Sequence, residues 1–429
     1  MVVNLAVVVD VIKIETLFIM KKNVLLFLLI CVSSLGFSQN DNDTSKIQLK
    51  DITVSFFASY YEQDGNHSPV TGGIGTEELK NIAPSVSINI PLDTVKSLSI
   101  NGGVDFYSSA SSDNINNPYN DPNHVSGASA KDARSYGVIG YKKKNNQKHT
   151  SKGFNFGVSS EYDVTSVSGG VSYSKSSKDE NKSISFKANY YLDVWRLIYP
   201  IELRNGTNTY LPTDKRHSLN LSSTGSINVN KKLAMSLTTD FVLQLGLLST
   251  PFHRVYFNGL STAVVEQLPS LRIKLPIGLR VNYYINDFLR FRMFYRFYTD
   301  SWGMKGNTIN LELPIKISNT IRVSPFFRYH TQTGARYFGE YQTINSNSEF
   351  FTSDFDLSNL SSNKYGIAFN YNPLFGLGRF KGAFRKNKIT MFKSIDFRYA
   401  YYERSDGLKA NIFTLGLNFT IQNRSINKK

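Results

Sequence analysis

Cysteine is almost absent: the single thiol, Cys31, lies in the N-terminal stretch. A chain with one cysteine forms no internal disulfide and no cage of cysteine metal ligands. Long apolar runs are also missing. Past residue 40, none approaches the roughly 18 residues that a spanning helix needs. Negative charge is scarce, with 33 acidic against 49 basic side chains and a formal charge of +16. No P-loop, G-x-S-x-G or H-E-x-x-H motif occurs, and the six histidines are scattered. A hydrolase needs nucleophile, base and orienting group to converge, and no local motif brings them together. These absences weigh against an enzyme and against a helical membrane protein, and no cofactor or metal ligand set is expected.

Residues 20–39 read M-K-K-N-V-L-L-F-L-L-I-C-V-S-S-L-G-F-S-Q. Lys21 and Lys22 form a positive start, Val24–Val32 an apolar centre, and Gly36 and Ser38 the small residues before a cleavage site. This is the pattern of a secretory signal peptide cut before Gln39, and it removes Cys31. Residues 1–19 contain Asp10 and Glu15 inside apolar sequence and read as a start-site extension. Lipidation at Cys31 is the alternative. It wants a small residue just before the cysteine, and Ile30 stands there.

What the sequence has in quantity is aromatic residues, 13% of the chain, arranged with period two. In 307–317, Ile309, Leu311, Leu313, Ile315 and Ile317 alternate with Thr308, Asn310, Glu312, Pro314 and Lys316. Side chains alternate across a strand, so such a segment has one apolar and one polar face. About sixteen segments read this way: 51–62, 80–90, 97–108, 134–143, 152–163, 165–176, 182–194, 215–229, 232–246, 269–285, 287–299, 304–317, 319–332, 361–371, 391–403 and 409–421. Many exceed the five to six residues usual in a soluble sandwich and approach the length of a tilted membrane strand.

The connections alternate as well. Long ones (63–79, 109–133, 195–214, 247–268 and 333–360) follow odd-numbered segments, and tight turns follow most even-numbered ones. Outer-membrane barrels have short periplasmic turns and long extracellular loops. The expected fold is therefore all-β: an antiparallel transmembrane barrel of the outer-membrane type over 51–421. A short periplasmic segment at 39–50 precedes it and a polar tail at 422–429 follows. The basic connection 372–390 is the exception to the alternation. Pro276, Pro314 and Pro325 fall inside strands and predict bulges, because proline removes a ladder donor. Trp195, Trp302, Tyr401 and Tyr402 lie near outer strand ends and predict an interfacial girdle. In T-L-G-L-N-F-T-I, residues Thr414, Gly416, Phe419 and Ile421 match the insertion signal of outer-membrane barrels, which implies the barrel insertion machinery as a partner. Eight residues follow it, through Lys429.

Several runs resemble a bacterial family called domain-of-unknown-function family thirty-five seventy. They include P-F-H-R-V-Y-F at 251–257, Y-R-F-Y-T-D-S-W-G at 295–303 and S-P-F-F-R-Y-H-T-Q-T-G-A-R-Y-F at 324–338. F-T-S-D-F-D-L-S at 351–358 and R-Y-A-Y-Y-E-R-S-D-G-L at 398–408 continue the resemblance, and Y-Y-E-Q-D-G-N at 60–66 extends it upstream. The resemblance implies an outer-membrane barrel with no assigned activity. It also implies a genomic setting near thioredoxin-like and flavin-transferase proteins, hence a maturation context.

Parity points Arg272, Lys274, Arg280, Arg290, Arg292, Arg296, Lys316, Arg322, Arg328 and Arg398 to the polar face. Lysine or arginine facing lipid costs about 2–4 kcal/mol at the midplane, so these cations belong in the lumen. The bland alternative is a network with Asp240, Glu312 and Asp396 that only stiffens the wall. Unpaired cation rings favour anions, so a small anionic solute is the expected cargo, with Arg290, Arg292 and Arg322 as main contributors. The arginines and aromatics of 290–298 fall on opposite faces, which fits a wall between lipid and lumen rather than nucleic acid. Asp354, Asp356 and Ser358 stand at alternate positions, as at the start of a calcium loop. The glycine turn and distal glutamate are missing, and Asx turns compete as their role. Two functions remain from different classes: a channel or the membrane component of a transport or maturation system, or a closed scaffold docking a periplasmic or extracellular partner.

Overall fold

Alternation of bulky apolar with small polar residues closes this chain into an antiparallel barrel of sixteen staves. The computed structural model describes residues 46–109, 131–204, 212–382 and 388–427. The chain forms two units. One, 1–47 with 426–429, is represented by Lys46, Ile47, Ile426 and Asn427, all extended. The other, Gln48–Ser425, is the barrel.

Its strands are β1 (Ile52–Asp64), β2 (Leu79–Pro91), β3 (Lys96–Ser109), β4 (Lys131–Asn145), β5 (Thr150–Ser160), β6 (Val164–Ser176), β7 (Lys182–Arg196) and β8 (Thr213–Asn228). They continue as β9 (Leu233–Gly246), β10 (Leu271–Tyr284), β11 (Arg290–Asp300), β12 (Lys305–Glu312), β13 (Ile321–Gln332), β14 (Leu360–Tyr371), β15 (Ile389–Arg404) and β16 (Lys409–Ile421). Each pairs with its neighbour in sequence, and β1 pairs with β16 from Ile52↔Ile421 to Asp64↔Lys409, which removes every edge. All sixteen segments read from periodicity are present, most within two or three residues of the expected ends.

The apolar face is outward. On β5, Phe154, Val158 and the intervening Phe156 are about half exposed, while Asn155 and Gly157 point to the bore. From β5 to β8 the inward face is small and polar, with rows such as Asn155, Gly170, Asn189 and Asn220. A solvated interior and a greasy exterior invert the soluble sandwich and are what a lipid-embedded barrel requires.

The three strand prolines do not bulge the sheet. Pro325 pairs with Ile367 and Pro276 with Tyr298 in unbroken register. Pro276 leaves its missing donor toward β9, where the ladder lapses opposite Asp240 and resumes unshifted at Val242↔Lys274. Pro314 breaks β12, which restarts as Ile315–Lys316 in the same register. The register shift lies instead between Phe392 and Ser394 of β15. The 372–390 connection contains a short strand, Gly378–Lys381, paired to the start of β15.

Candidate functional site: a basic lumen wall and a loop cap

The ten cations read from parity share the inward face. The clearest geometric witness is Arg398 on β15, whose Nη2 lies 3.5 Å from Glu312 Oε2 near the end of β12. Two strands separate β12 from β15, roughly 14 Å of sheet at the usual spacing. Long side chains span that distance only on the concave side. Cross-strand register places Arg280 opposite Phe294, Arg292 opposite Glu312, Arg328 opposite Lys364 and Lys316 opposite Arg322. Lys364, outside the ten that parity singles out, fills the gap at β14.

The ion pairs are few. Arg272 is held by Asp300 at 2.5 Å and covers the Trp302 ring at 4.0 Å. Arg292 meets Glu312 at 2.9 Å, and Arg398 lies 3.8 Å over the Phe326 ring. Arg280 rests on Phe294 and Arg290 on Tyr284, each at 5.6 Å. Among the described residues, Lys274, Arg280, Arg290, Arg296, Lys316, Arg322 and Arg328 have no carboxylate within 4.0 Å. Asp396 accepts from Asn370 and Asn418 rather than from a cation. The side chains of Arg292 and Arg398 are each 43% exposed, so the bore at this level is not filled by packing.

At the long-loop end, a second constellation was not legible from periodicity. Arg254, only 3% exposed, forms a forked ion pair with Glu202 (Nε to Oε1 2.5 Å, Nη2 to Oε2 3.1 Å) and donates from Nη1 to the Val70 carbonyl at 2.6 Å. Val70 lies in the β1–β2 connection, Glu202 in β7–β8 and Arg254 in β9–β10. From β1 to β9 is eight of sixteen staves, half the circumference. Loops joined by Arg254 therefore cross the mouth.

The β13–β14 loop (333–359) joins them. Buried Glu266 accepts from Thr250 N at 2.7 Å, Thr352 Oγ1 at 2.5 Å and His253 Nδ1 at 3.3 Å. Ser353 Oγ donates to the Arg254 carbonyl. Phe257 packs edge-on against Phe351, and His67 stacks on Phe355 at 3.9 Å. Arg404 on β15 ties the loop to the wall through Asp356 and the Phe355 carbonyl. Trp302 does not join a girdle. It is buried with Leu268, Met304 and Ala335, and its Nε1 donates to the Leu271 carbonyl. Trp195 and Tyr402 fall on the inward parity, which leaves Tyr401 as the outward member of that group.

Burial shifts the cap's titrations. Glu77 is pushed up to about 7, first by burial and then by Asp356 nearby. Asp354 is raised by the same two causes. For His253, burial opposes the proton, but Glu266 outweighs it and the imidazole pKa is raised.

Asp354, Asp356 and Ser358 take separate partners. Asp354 Oδ1 accepts from Asp356 N at the start of the short 3-10 helix Phe355–Leu357, an Asx turn. Asp356 faces Arg404, and the Ser358 carbonyl accepts from Gln332. In β16, Thr414 and Gly416 face inward beside Phe57, while Phe419 stacks on Phe392 at 4.7 Å and Ile421 is buried with Ile52 and Val54. The signal peptide lies outside the described residues.

A family model described as a protein of unknown function, DUF3570, matches residues 38–411. No curated protein matches the chain. Among solved structures, similarity extends to CdiB from Acinetobacter baumannii at 10% identity and TM-score 0.45, over 85% of this chain and 60% of that one. The siderophore receptor PirA from Acinetobacter baumannii follows at 10% identity and TM-score 0.43, over 83% of this chain and 54% of that one. The outer membrane protein opdK from Pseudomonas aeruginosa is similar at 6% identity and TM-score 0.35, over 88% and 100%. The chain thus spans little more than half the length of the first two.

Proposed function

The chain belongs to the DUF3570 family of unknown function, and on that premise we propose that it is a transport-type outer-membrane barrel whose lumen favours small anions. The supporting observation is the inward face of β10 to β13, where seven cations lack a carboxylate partner among the described residues. Rings of Arg and Lys lower the barrier for anions and raise it for cations. Because Arg292 and Arg398 share Glu312, the selectivity rests on Arg290 and Arg322, which have no carboxylate in reach among the described residues. Short turns lie on the periplasmic side in this reading, and the cap lies outside the cell.

Reversal potentials of the purified protein in planar bilayers under a salt gradient test the reading. Wild-type channels should prefer chloride to potassium, and R322E combined with R290E should abolish or invert the preference. Cation preference in the wild type, or unchanged selectivity in the double variant, refutes it. The second reading, a closed scaffold docking a partner, is favoured by one observation: the Arg254-linked loops crossing the mouth. A barrel that stays silent even when Arg254 is removed supports the scaffold.

A further inference from the structure

The outward face should carry no charge without a reason, because lipid faces it. Near the short-turn end it carries three adjacent lysines. Lys96 is the cross-strand partner of Lys143, and Lys143 of Lys152. The same row continues through Tyr173 and Phe186. Lys96 is answered by Asp93 at 3.5 Å. Lys143 and Lys152 are exposed and have no carboxylate within ion-pair distance among the described residues. Like charges directly opposite on a sheet destabilise it, so this pair calls for an anion from outside the chain.

The two lysines sit on the rim of a groove of about 910 Å³ in the outer wall. Small side chains, Ala188 and Ser223, form its floor, and Phe154, Val171, Leu221 and Phe241 rise around them. Register explains the hollow, since Ala188 lies directly between Val171 and Leu221 in one outward row. The lysines stand two residues from the β4–β5 turn, at headgroup depth, where a cation on the lipid face costs little. A concave apolar surface ending in two cations fits an amphiphile with an anionic head.

We propose that this groove binds one anionic phospholipid, with its phosphodiester between Lys143 and Lys152 and an acyl chain over Ala188. The apolar lining separates this occupant from a free phosphate, which would gain nothing from it. A lysine near an anionic headgroup contributes about 1 kcal/mol, so removing both should weaken binding about thirtyfold.

Native mass spectrometry of the detergent-purified barrel, titrated with phosphatidylglycerol or phosphatidylcholine, tests the proposal. The wild type should retain one phosphatidylglycerol far more tightly than phosphatidylcholine. K143Q combined with K152Q should lose that retention by about thirtyfold. A188F, which fills the groove, should lose it with both lysines intact, and K142Q, on the inward face and outside the groove lining, should not. Heat-modified migration on gels shows that each variant is folded. Equal retention of the two lipids, wild-type retention by the double lysine variant, or displacement by equimolar inorganic phosphate overturns the assignment. None of these outcomes depends on whether the bore conducts.

Discussion

Arg254→Ala should open the cap and leave the barrel standing. Removing one partner of a buried ion pair costs about 3–5 kcal/mol, because the other charge stays desolvated. Glu202 is 28% exposed, so water recovers part of its solvation and the lower end applies. The Val70 carbonyl also loses its 2.6 Å donor. A net loss of about 3 kcal/mol raises the opening constant of the cap on the order of a hundredfold. Hydrogen exchange reads this directly at amides that close the cap: Glu266 N to the His253 carbonyl at 3.1 Å, and the reciprocal pair between Gln267 and Phe351 at 3.1 and 2.7 Å. Strand amides of β10, in the same molecule, are the internal reference. Arg254→Lys keeps the charge but not the fork, so its effect should fall between wild type and alanine. Protection at Glu266 and Phe351 that changes less than threefold, or that falls equally in β10, would refute the argument that Arg254 pins the cap.

Acidification should tighten the same cap. Glu77 titrates near 7 when the cap is closed and near its ordinary 4.5 when open, so its contribution is full below about 4.5 and disappears as pH rises through about 7. Raised values at Asp354 and His253 act with the same sign. Exchange at Glu266, corrected for intrinsic rate, should be slower at pH 5.5 than at pH 8, and Glu77→Gln should flatten part of that dependence; the opposite slope rejects the sign. Gly366→Ala should block barrel assembly. A Cβ there collides with the Tyr399 carbonyl oxygen and meets the Phe326 ring at 2.7 Å, and loss of the heat-modifiable band on gels would register the failure. Cysteines placed at Ser346 and Asp179 should separate the two ends, with an impermeant reagent on intact cells labelling only Ser346; labelling of Asp179 alone inverts the orientation.

The barrel was legible because each strand reports its own faces. Ile309, Leu311 and Leu313 alternate with Asn310 and Glu312 whatever lies beside them, and closure then follows from sixteen such segments joined alternately by tight turns and long loops. The proline expectation failed for a local reason. Missing donors matter only on the side where a strand would have used them, and Pro276 and Pro314 sit where the ladder pauses and resumes in register. Parity gave the inward cations but not their pairing. Asp300, at the very end of β11, lies outside the three acids that parity offers as neutralisers, yet it takes Arg272. Arg292, by parity one of the main contributors, faces Glu312 one strand away.

The cap was invisible for a different reason. Its contacts are long-range: Arg254 finds Glu202 across 52 positions and Val70 across 184, and no periodic pattern encodes such meetings. The only sign in the sequence was composition, since P-F-H-R-V-Y-F at 251–257 is too apolar and too aromatic for a solvated loop. The two constellations carry opposite charge. The wall is basic, while the cap gathers Glu77, Glu202, Glu266, Asp354, Asp356 and Asp406 around Arg254, Arg404 and His253. On the proposed reading, an anion entering by the mouth passes acidic loops before it reaches the cations that favour it. Loosening the cap with R254A should then raise conductance and anion preference together, because the same movement widens the path and withdraws the carboxylates. A variant that conducts more but selects less would mean that the carboxylates lie off the conduction path, and the selectivity argument would have to rest on the wall alone.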